Sequence, residues 1–106
     1  MNSIAEPIEA TPWLSVLVPA YNAAAYLGEC VESVLAQGIE GVELVVVDDC
    51  SNDASAAILT QLATRWPKGF RVQRHARNRG LSSARNTLLE AARGEYLWFL
   101  DADDKL

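Results

Sequence analysis

Hydrophobic residues fall in two alternating patterns along the chain: short unbroken apolar runs, and stretches where apolar residues recur every three or four positions. Trp13 to Val18 is the first run, and Pro19, which cannot donate in a sheet interior, is expected to end it. Leu27, Val31, Val34 and Leu35 follow at helical spacing up to Gly38, a natural stop residue. Glu43 to Asp48 holds Leu44, Val45, Val46 and Val47, the continuous β-branched run expected of a central strand covered on both faces. Ile58, Leu59, Leu62 and Trp66 predict a second helix, closed by Pro67, with Ser51, Asn52 and Asp53 available as N-caps. Phe70 to Arg74 alternates weakly, and its polar Arg71, Gln73 and Arg74 predict a strand near an edge. Leu81, Ala84, Leu88 and Ala92 predict a third helix ended by Gly94, and Tyr96 to Leu100 a fourth strand running into Asp101, Ala102, Asp103 and Asp104. Residues 1–12 are polar, carry Pro7 and Pro12 and show neither period, so they read as a flexible tail.

Strand, helix, strand, helix, strand, helix, strand predicts an α/β fold, a three-layer βαβαβαβ arrangement with right-handed crossovers around a parallel four-stranded sheet. The C-terminal ends of such strands share one edge, where open α/β proteins bind ligands. The first strand delivers Pro19, Ala20, Tyr21 and Asn22 there, the second Asp48 and Asp49, the third His75, Arg77 and Asn78, and the fourth Asp101, Asp103 and Asp104.

Composition narrows the class. A chain of 106 residues buries roughly 65% of its unfolded surface, enough for one core and too little for a second domain of ordinary size. Nine basic against fourteen acidic residues give a net charge of -5, the wrong sign for general nucleic-acid binding. No apolar run approaches the ~20 residues of a membrane span, and the first twelve residues have neither a basic start nor an apolar stretch. Cys30 and Cys50 form no CxxC pair and read as reduced, which points to a cytoplasmic protein, or in a longer chain to the cytoplasmic face of a membrane.

The carboxylates carry the most chemistry. Ionised at neutral pH, two of them ~4 Å apart near a surface repel by roughly 4 kcal/mol. A divalent cation, Mn²⁺ or Mg²⁺, held by one or two carboxylates and a ligand's phosphate oxygens, would offset that repulsion; otherwise Asp101 to Asp104 is a solvated acidic turn. With Ser51, Asn52 and Asp53 available to cap the second helix, Asp48 and Asp49 are free to accept hydrogen bonds from a base or ribose. Tyr21 offers a ring for stacking or packing, and Asn22 either a ligand contact or the N-cap of the first helix. Arg77, Arg79 and Arg85 would offset a diphosphate or pair with local acids. His75 reads as a polar surface residue, Cys30 as helix packing, and Trp66, Trp98 and Phe99 as core. No GxGxxG follows the first strand and no P-loop occurs.

Four strings, in order and at strand ends, resemble the opening of family 2 glycosyltransferases with the GT-A fold: Ser15 to Asn22, Leu44 to Asp53, Asn78 to Asn86 and Gly94 to Asp104. The resemblance spans Trp13 to Asp104 and implies the Rossmann-like half of that fold, with sheet order three, two, one, four. It implies that Pro19, Ala20, Tyr21, Asn22 and Asp49, with Asp48 adjacent, bind the base and ribose of a nucleotide-diphospho-sugar, with UDP the expected nucleotide. Asp101 and Asp103 match the family's DxD motif and imply the divalent metal site, with Asp101 also near the ribose. Asn78, Gly80 and Arg85 match its third motif. Cys50 stands where the family most often has Gly. Residues 13–106 are accordingly expected to be the donor-binding part of an inverting glycosyltransferase domain, cut after the metal motif. Such a part is without a catalytic residue of its own and inactive alone, with the acceptor unidentified. A homodimer through the apolar fourth strand is expected on the same grounds. The alternative is a non-enzymatic receiver-like signalling module, in which Val47, Asp48 and Asp49 would form part of a phosphoacceptor pocket.

Overall fold

The computed structural model describes residues 11–102; most of the expected tail and Asp103 and Asp104 lie outside them. The elements are β1 (Leu14–Ala20), α1 (Ala24–Leu35), β2 (Val42–Asp48), α2 (Ser55–Arg65), β3 (Phe70–Arg74), α3 (Leu81–Ala91) and β4 (Tyr96–Phe99). All strand pairs are parallel, and the four-stranded sheet has the order β3-β2-β1-β4. This is the predicted α/β architecture, a Rossmann-like half of a GT-A-like fold.

Strand parity builds two cores. Val16, Val18 and Ala20 of β1 with Leu44 and Val46 of β2 face Leu27, Cys30, Val31, Leu59 and Leu62 of the α1–α2 layer. Leu17, Val45 and Val47 face Ala84 and Leu88 of α3 on the other side. Leu44 to Val47 are wholly buried because helices cover both faces of β2, and each such side chain contributes about 1.5–3 kcal/mol.

Two expectations need correction. Pro19 does not end β1 but lies within it, paired with Val47. Ala20 accepts from the Asp49 amide on the β2 side and Leu17 from the Leu100 amide on the β4 side, so alternation turns the nitrogen of Pro19 toward β4. The β4 pairing stops at Leu17, so no ladder bond is lost there. Trp98 and Phe99 are not core: all of β4 is exposed, with Tyr96 at 66% and Trp98 at 44%. β4 is an edge strand, paired with β1 alone among the described residues, whereas Trp66 packs partly buried against the α1–α2 layer.

A polar staple closes the N-terminal end of the sheet. Buried Glu43 accepts from the Ser15 hydroxyl at 2.6 Å, the Arg93 amide at 2.8 Å and Arg71 Nη2 at 2.8 Å. The Gly94 amide donates to Ser15 Oγ at 2.7 Å, and a Cβ on Gly94 would stand 2.6 Å from the Ser15 nitrogen, so only glycine lets the chain enter β4 this close to β1. Burial pushes the Glu43 carboxyl up, but hydrogen bonds from Ser15, the Arg93 amide and Arg71 together hold it below its ordinary 4.5.

Candidate functional site

At the opposite end of the sheet the loops after β1, β2 and β3 are tied together. Asn22 takes a left-handed φ of 51°, a conformation its short amide tolerates, and the turn is locked from both sides. Its amide donates to Ser51 Oγ at 2.9 Å, and its Oδ1 accepts from the Asn52 amide at 2.9 Å. Asn22 therefore is not the N-cap of α1; that position is Ala23, which makes no side-chain cap bond. Asp53 links the starts of two helices, accepting from the Ser55 amide at 2.9 Å and the Ala24 amide at 3.2 Å, and the Ser55 bonds lead in holding its carboxyl below the ordinary 3.8. Cys50, also left-handed at φ 60°, carries the chain from β2 into this loop.

Parity separates the two carboxylates that end β2. Asp48 continues the Leu44, Val46 face and lies 1% exposed. Its Oδ1 accepts from the amide and hydroxyl of Ser51, and its Oδ2 stands 3.4 Å from Arg74 Nε, too far for a good hydrogen bond but within ion-pair range. Asp49 points to the α3 side. Its Oδ1 accepts from His75 Nδ1 at 2.6 Å and the Arg79 amide at 2.9 Å, and its Oδ2 from the Gly80 amide at 2.8 Å. Burial pushes the Asp49 carboxyl up, but the His75 bond and the two amides outweigh it and hold the group below its ordinary 3.8. Neither carboxylate is therefore free in the way the sequence suggested.

His75 is also not the surface residue expected: it is 6% exposed, with Nε2 2.8 Å from Thr87 Oγ1. The register pairs Asp48 with Arg74, so the first residues beyond β2 and β3, Asp49 and His75, stand side by side. That pairing of adjacent strand ends is the signal by which His75 could have been found. Thr87, one helical turn below Ala84 on α3, gave no signal of its own.

A cleft of about 300 Å³ opens above this cluster, lined by Pro19, Ala20, Tyr21, Asp49, Asn78, Gly80, Leu81 and Ala84. Gly80 serves it twice, since φ of 94° turns the chain into α3 and its amide holds Asp49. A second cleft of about 240 Å³ adjoins it at Pro19 and Tyr21 and reaches Asn22 and Ala102. Six of the predicted residues thus share one cleft, and Asn22 lines its neighbour. Asp48 lines instead a larger groove of about 480 Å³ between α2 and β3, where it and Arg74 are the charged groups and face each other. Arg85 is in neither; its guanidinium lies 5.6 Å from the centre of the Phe99 ring. Asp101 is exposed just past β4, its carbonyl 3.8 Å from Cys30 Sγ, while Asp103 falls outside the described residues. Among the described residues no group of three or more His, Cys, Asp or Glu stands ready to hold a metal, no helix is long and apolar enough to cross a membrane, and Cys30 and Cys50 are not joined in a disulfide.

The uncharacterized glycosyltransferase EpsJ of Bacillus subtilis is 43% identical over 93 residues, which cover 88% of this chain and 26% of EpsJ. The structure of S. aureus TarS 1-349 in complex with UDP-GlcNAc superposes with a TM-score of 0.78 at 36% identity, over 87% of this chain and 27% of that one. The mannosyltransferase PcManGT from Pyrobaculum calidifontis, in complex with GDP-Man and Mn²⁺, gives 0.76 at 29% identity, over 89% and 28%. The chain spans about a quarter of the length of these relatives. The family profile described as glycosyl transferase family 2 matches residues 15–106, from the staple of β1 through both clefts, and the chain belongs to that family.

Proposed function

We propose that this chain is the donor-binding part of an inverting glycosyltransferase and that its cleft holds the nucleotide of a nucleotide-diphospho-sugar, with UDP as the nucleotide. One observation carries the reading: residues from three separate segments, Pro19 to Tyr21 at the end of β1, Asp49 just past β2, and Asn78 and Gly80 ahead of α3, converge on one cleft at the C-terminal edge of the sheet. Half-exposed Tyr21 stacks on the base, Asp49 and Asn78 meet its polar edge, and the diphosphate runs through the adjoining cleft toward Ala102. TarS and PcManGT have solved structures in complex with a UDP-sugar and a GDP-sugar respectively, which supports a nucleotide-sugar as the ligand class.

A divalent cation fits this donor set. Asp101 presents an exposed hard-oxygen carboxylate just past β4, and Mg²⁺ or Mn²⁺ bound mainly by phosphate oxygens needs only one or two carboxylates. Asp101 and Asp103 would hold it, and it would offset the charge that develops on the departing nucleoside diphosphate. A base beside the acceptor hydroxyl is assigned to no residue of these clefts, since Asp49 is engaged by His75 and two backbone amides and its remaining position is assigned to the nucleotide base. The receiver-like alternative needs its acidic pair at the end of β1, where this chain has Pro19, Ala20, Tyr21 and Asn22.

Calorimetry of UDP binding tests the reading. Affinity is expected with Mn²⁺ present and to fall at least tenfold with excess chelator or in Asp101→Asn. Equal binding with and without chelator removes the metal role, and no binding under any condition overturns the donor-site reading.

A further inference from the structure

Asp49 meets the cleft as a partly used acceptor. An ionised carboxylate offers about four lone-pair positions, two on each oxygen. His75 Nδ1 and the Arg79 amide take both positions on Oδ1, and the Gly80 amide takes one of the two on Oδ2. A single position remains. His75 is what makes the count this low, and it is fixed from both sides. Facing a carboxylate, Nδ1 carries the hydrogen; Nε2 stands 2.8 Å from Thr87 Oγ1, whose single hydrogen is shared between Nε2 and the Ser83 carbonyl at 3.1 Å. Neither His75 nor Thr87 lines the cleft, so both act through Asp49.

We propose that His75 is a positioning residue that sets which base the cleft accepts: by filling Oδ1 it leaves Asp49 one acceptor position, which suits uracil and disfavours guanine. Uracil has one ring N–H between two carbonyls, so one acceptor satisfies it, and the Asn78 amide, which spends one hydrogen on the Asp49 carbonyl at 3.4 Å, has a second for a neighbouring carbonyl. Guanine presents a ring N–H and an exocyclic amine side by side, a pair that needs both oxygens of a carboxylate. Against Asp49 one of those donors enters the cleft unpaired, which lowers affinity on the order of tenfold or more.

The inference rests on the reading of the cleft as the base site, and the test separates the two. Dissociation constants for UDP and GDP are measured by calorimetry with Mn²⁺ on the whole chain, on His75→Phe, which has no donor, and on His75→Asn, whose amide nitrogen stands near the place of Nδ1. The unaltered protein is expected to favour UDP by at least about tenfold, His75→Asn to keep that ratio, and His75→Phe to narrow it by on the order of tenfold as Oδ1 becomes available. Thr87→Val, which frees the far side of the ring, should narrow it less and serves if His75→Phe does not fold. A ratio near one in the unaltered protein overturns the inference and leaves the donor-site reading standing. So does a folded His75→Phe that weakens both nucleotides by the same factor, the mark of a purely structural histidine. Binding of neither nucleotide overturns both.

Discussion

Replacing Glu43 by Ala tests whether the staple at the N-terminal end of the sheet holds the fold together. The side chain joins β1 through Ser15, β3 through Arg71 and the α3–β4 turn through the Arg93 amide. Truncation leaves the buried Ser15 hydroxyl and the Arg93 amide without this acceptor, at about 1–3 kcal/mol each. Arg71 adds little, because its side chain is 31% exposed and it still donates to the Ala91 carbonyl at 2.7 Å. The expected loss is about 3 kcal/mol, against about 5–15 kcal/mol for a whole domain, and corresponds to a fall in Tm of roughly 10–20 °C. Glu43→Gln keeps an acceptor but loses the charge and should cost about half as much. Urea titration followed by circular dichroism reads both variants. Because Glu43 and Asp49 stand at opposite ends of β2, roughly 20 Å apart, the folded fraction of either variant should bind UDP like the parent. A loss under about 1 kcal/mol for Glu43→Ala would show that the staple only accompanies the packing around it.

Three further outcomes follow from the same contacts. Glu43 and Asp49 both have lowered folded-state pKa values, so the stability they supply is complete above their ordinary values of 4.5 and 3.8 and is lost as pH falls below them; thermal melts should drop more steeply below pH 4.5 in the parent than in Glu43→Gln, and parallel curves would refute this. Cys50→Gly removes a left-handed non-glycine residue and should raise stability by up to about 1 kcal/mol in urea, whereas a loss would mean that the Sγ contact to the Ala76 carbonyl at 3.6 Å outweighs the backbone strain. The exposed apolar edge of Tyr96, Leu97, Trp98 and Phe99 should drive self-association at high concentration, and light scattering that returns a monomer mass up to the solubility limit would contradict it.

The sequence disclosed most where one rule acted alone. The unbroken Leu44 to Val47 run could only be a strand covered on both faces, and it is; the polar Arg71, Gln73 and Arg74 marked an edge, and β3 is one. It disclosed least where position in the sheet overrides residue type. Trp98 and Phe99 are apolar enough for a core, yet among the described residues β4 has a neighbour strand on one side only, and apolarity does not say how many neighbours a strand has. Pro19 is tolerated inside β1 because β4 is short, a fact about another segment of the chain. His75 looked solitary because its partners are 26 and 12 residues away, and only the parallel register of β2 and β3 brings Asp49 to it. The motif residues were legible as a set, but which oxygen each would spend on the protein itself was not.

That last point bears on how the site works. β2 and the residue just past it carry three buried carboxylates, Glu43, Asp48 and Asp49, and every one is engaged by protein donors before any ligand arrives. Asp48 shapes the loop that receives Asn22, through Ser51, and Asp49 holds the Arg79 and Gly80 amides where α3 begins. A carboxylate that fixes the walls of a cleft and also offers one position to its occupant lowers the ordering cost of binding, since the loops need not close on the ligand. It also makes shape and selectivity inseparable: an Asp49→Asn change alters the acceptor seen by the base and, by turning one oxygen into an NH2 donor, simultaneously takes an acceptor from the amides and histidine that hold the walls. Loss of binding in that variant therefore says nothing about the base contact alone, and the count of acceptor positions has to be varied from outside the cleft, at His75 and Thr87, where the walls can be kept while the one open position is changed.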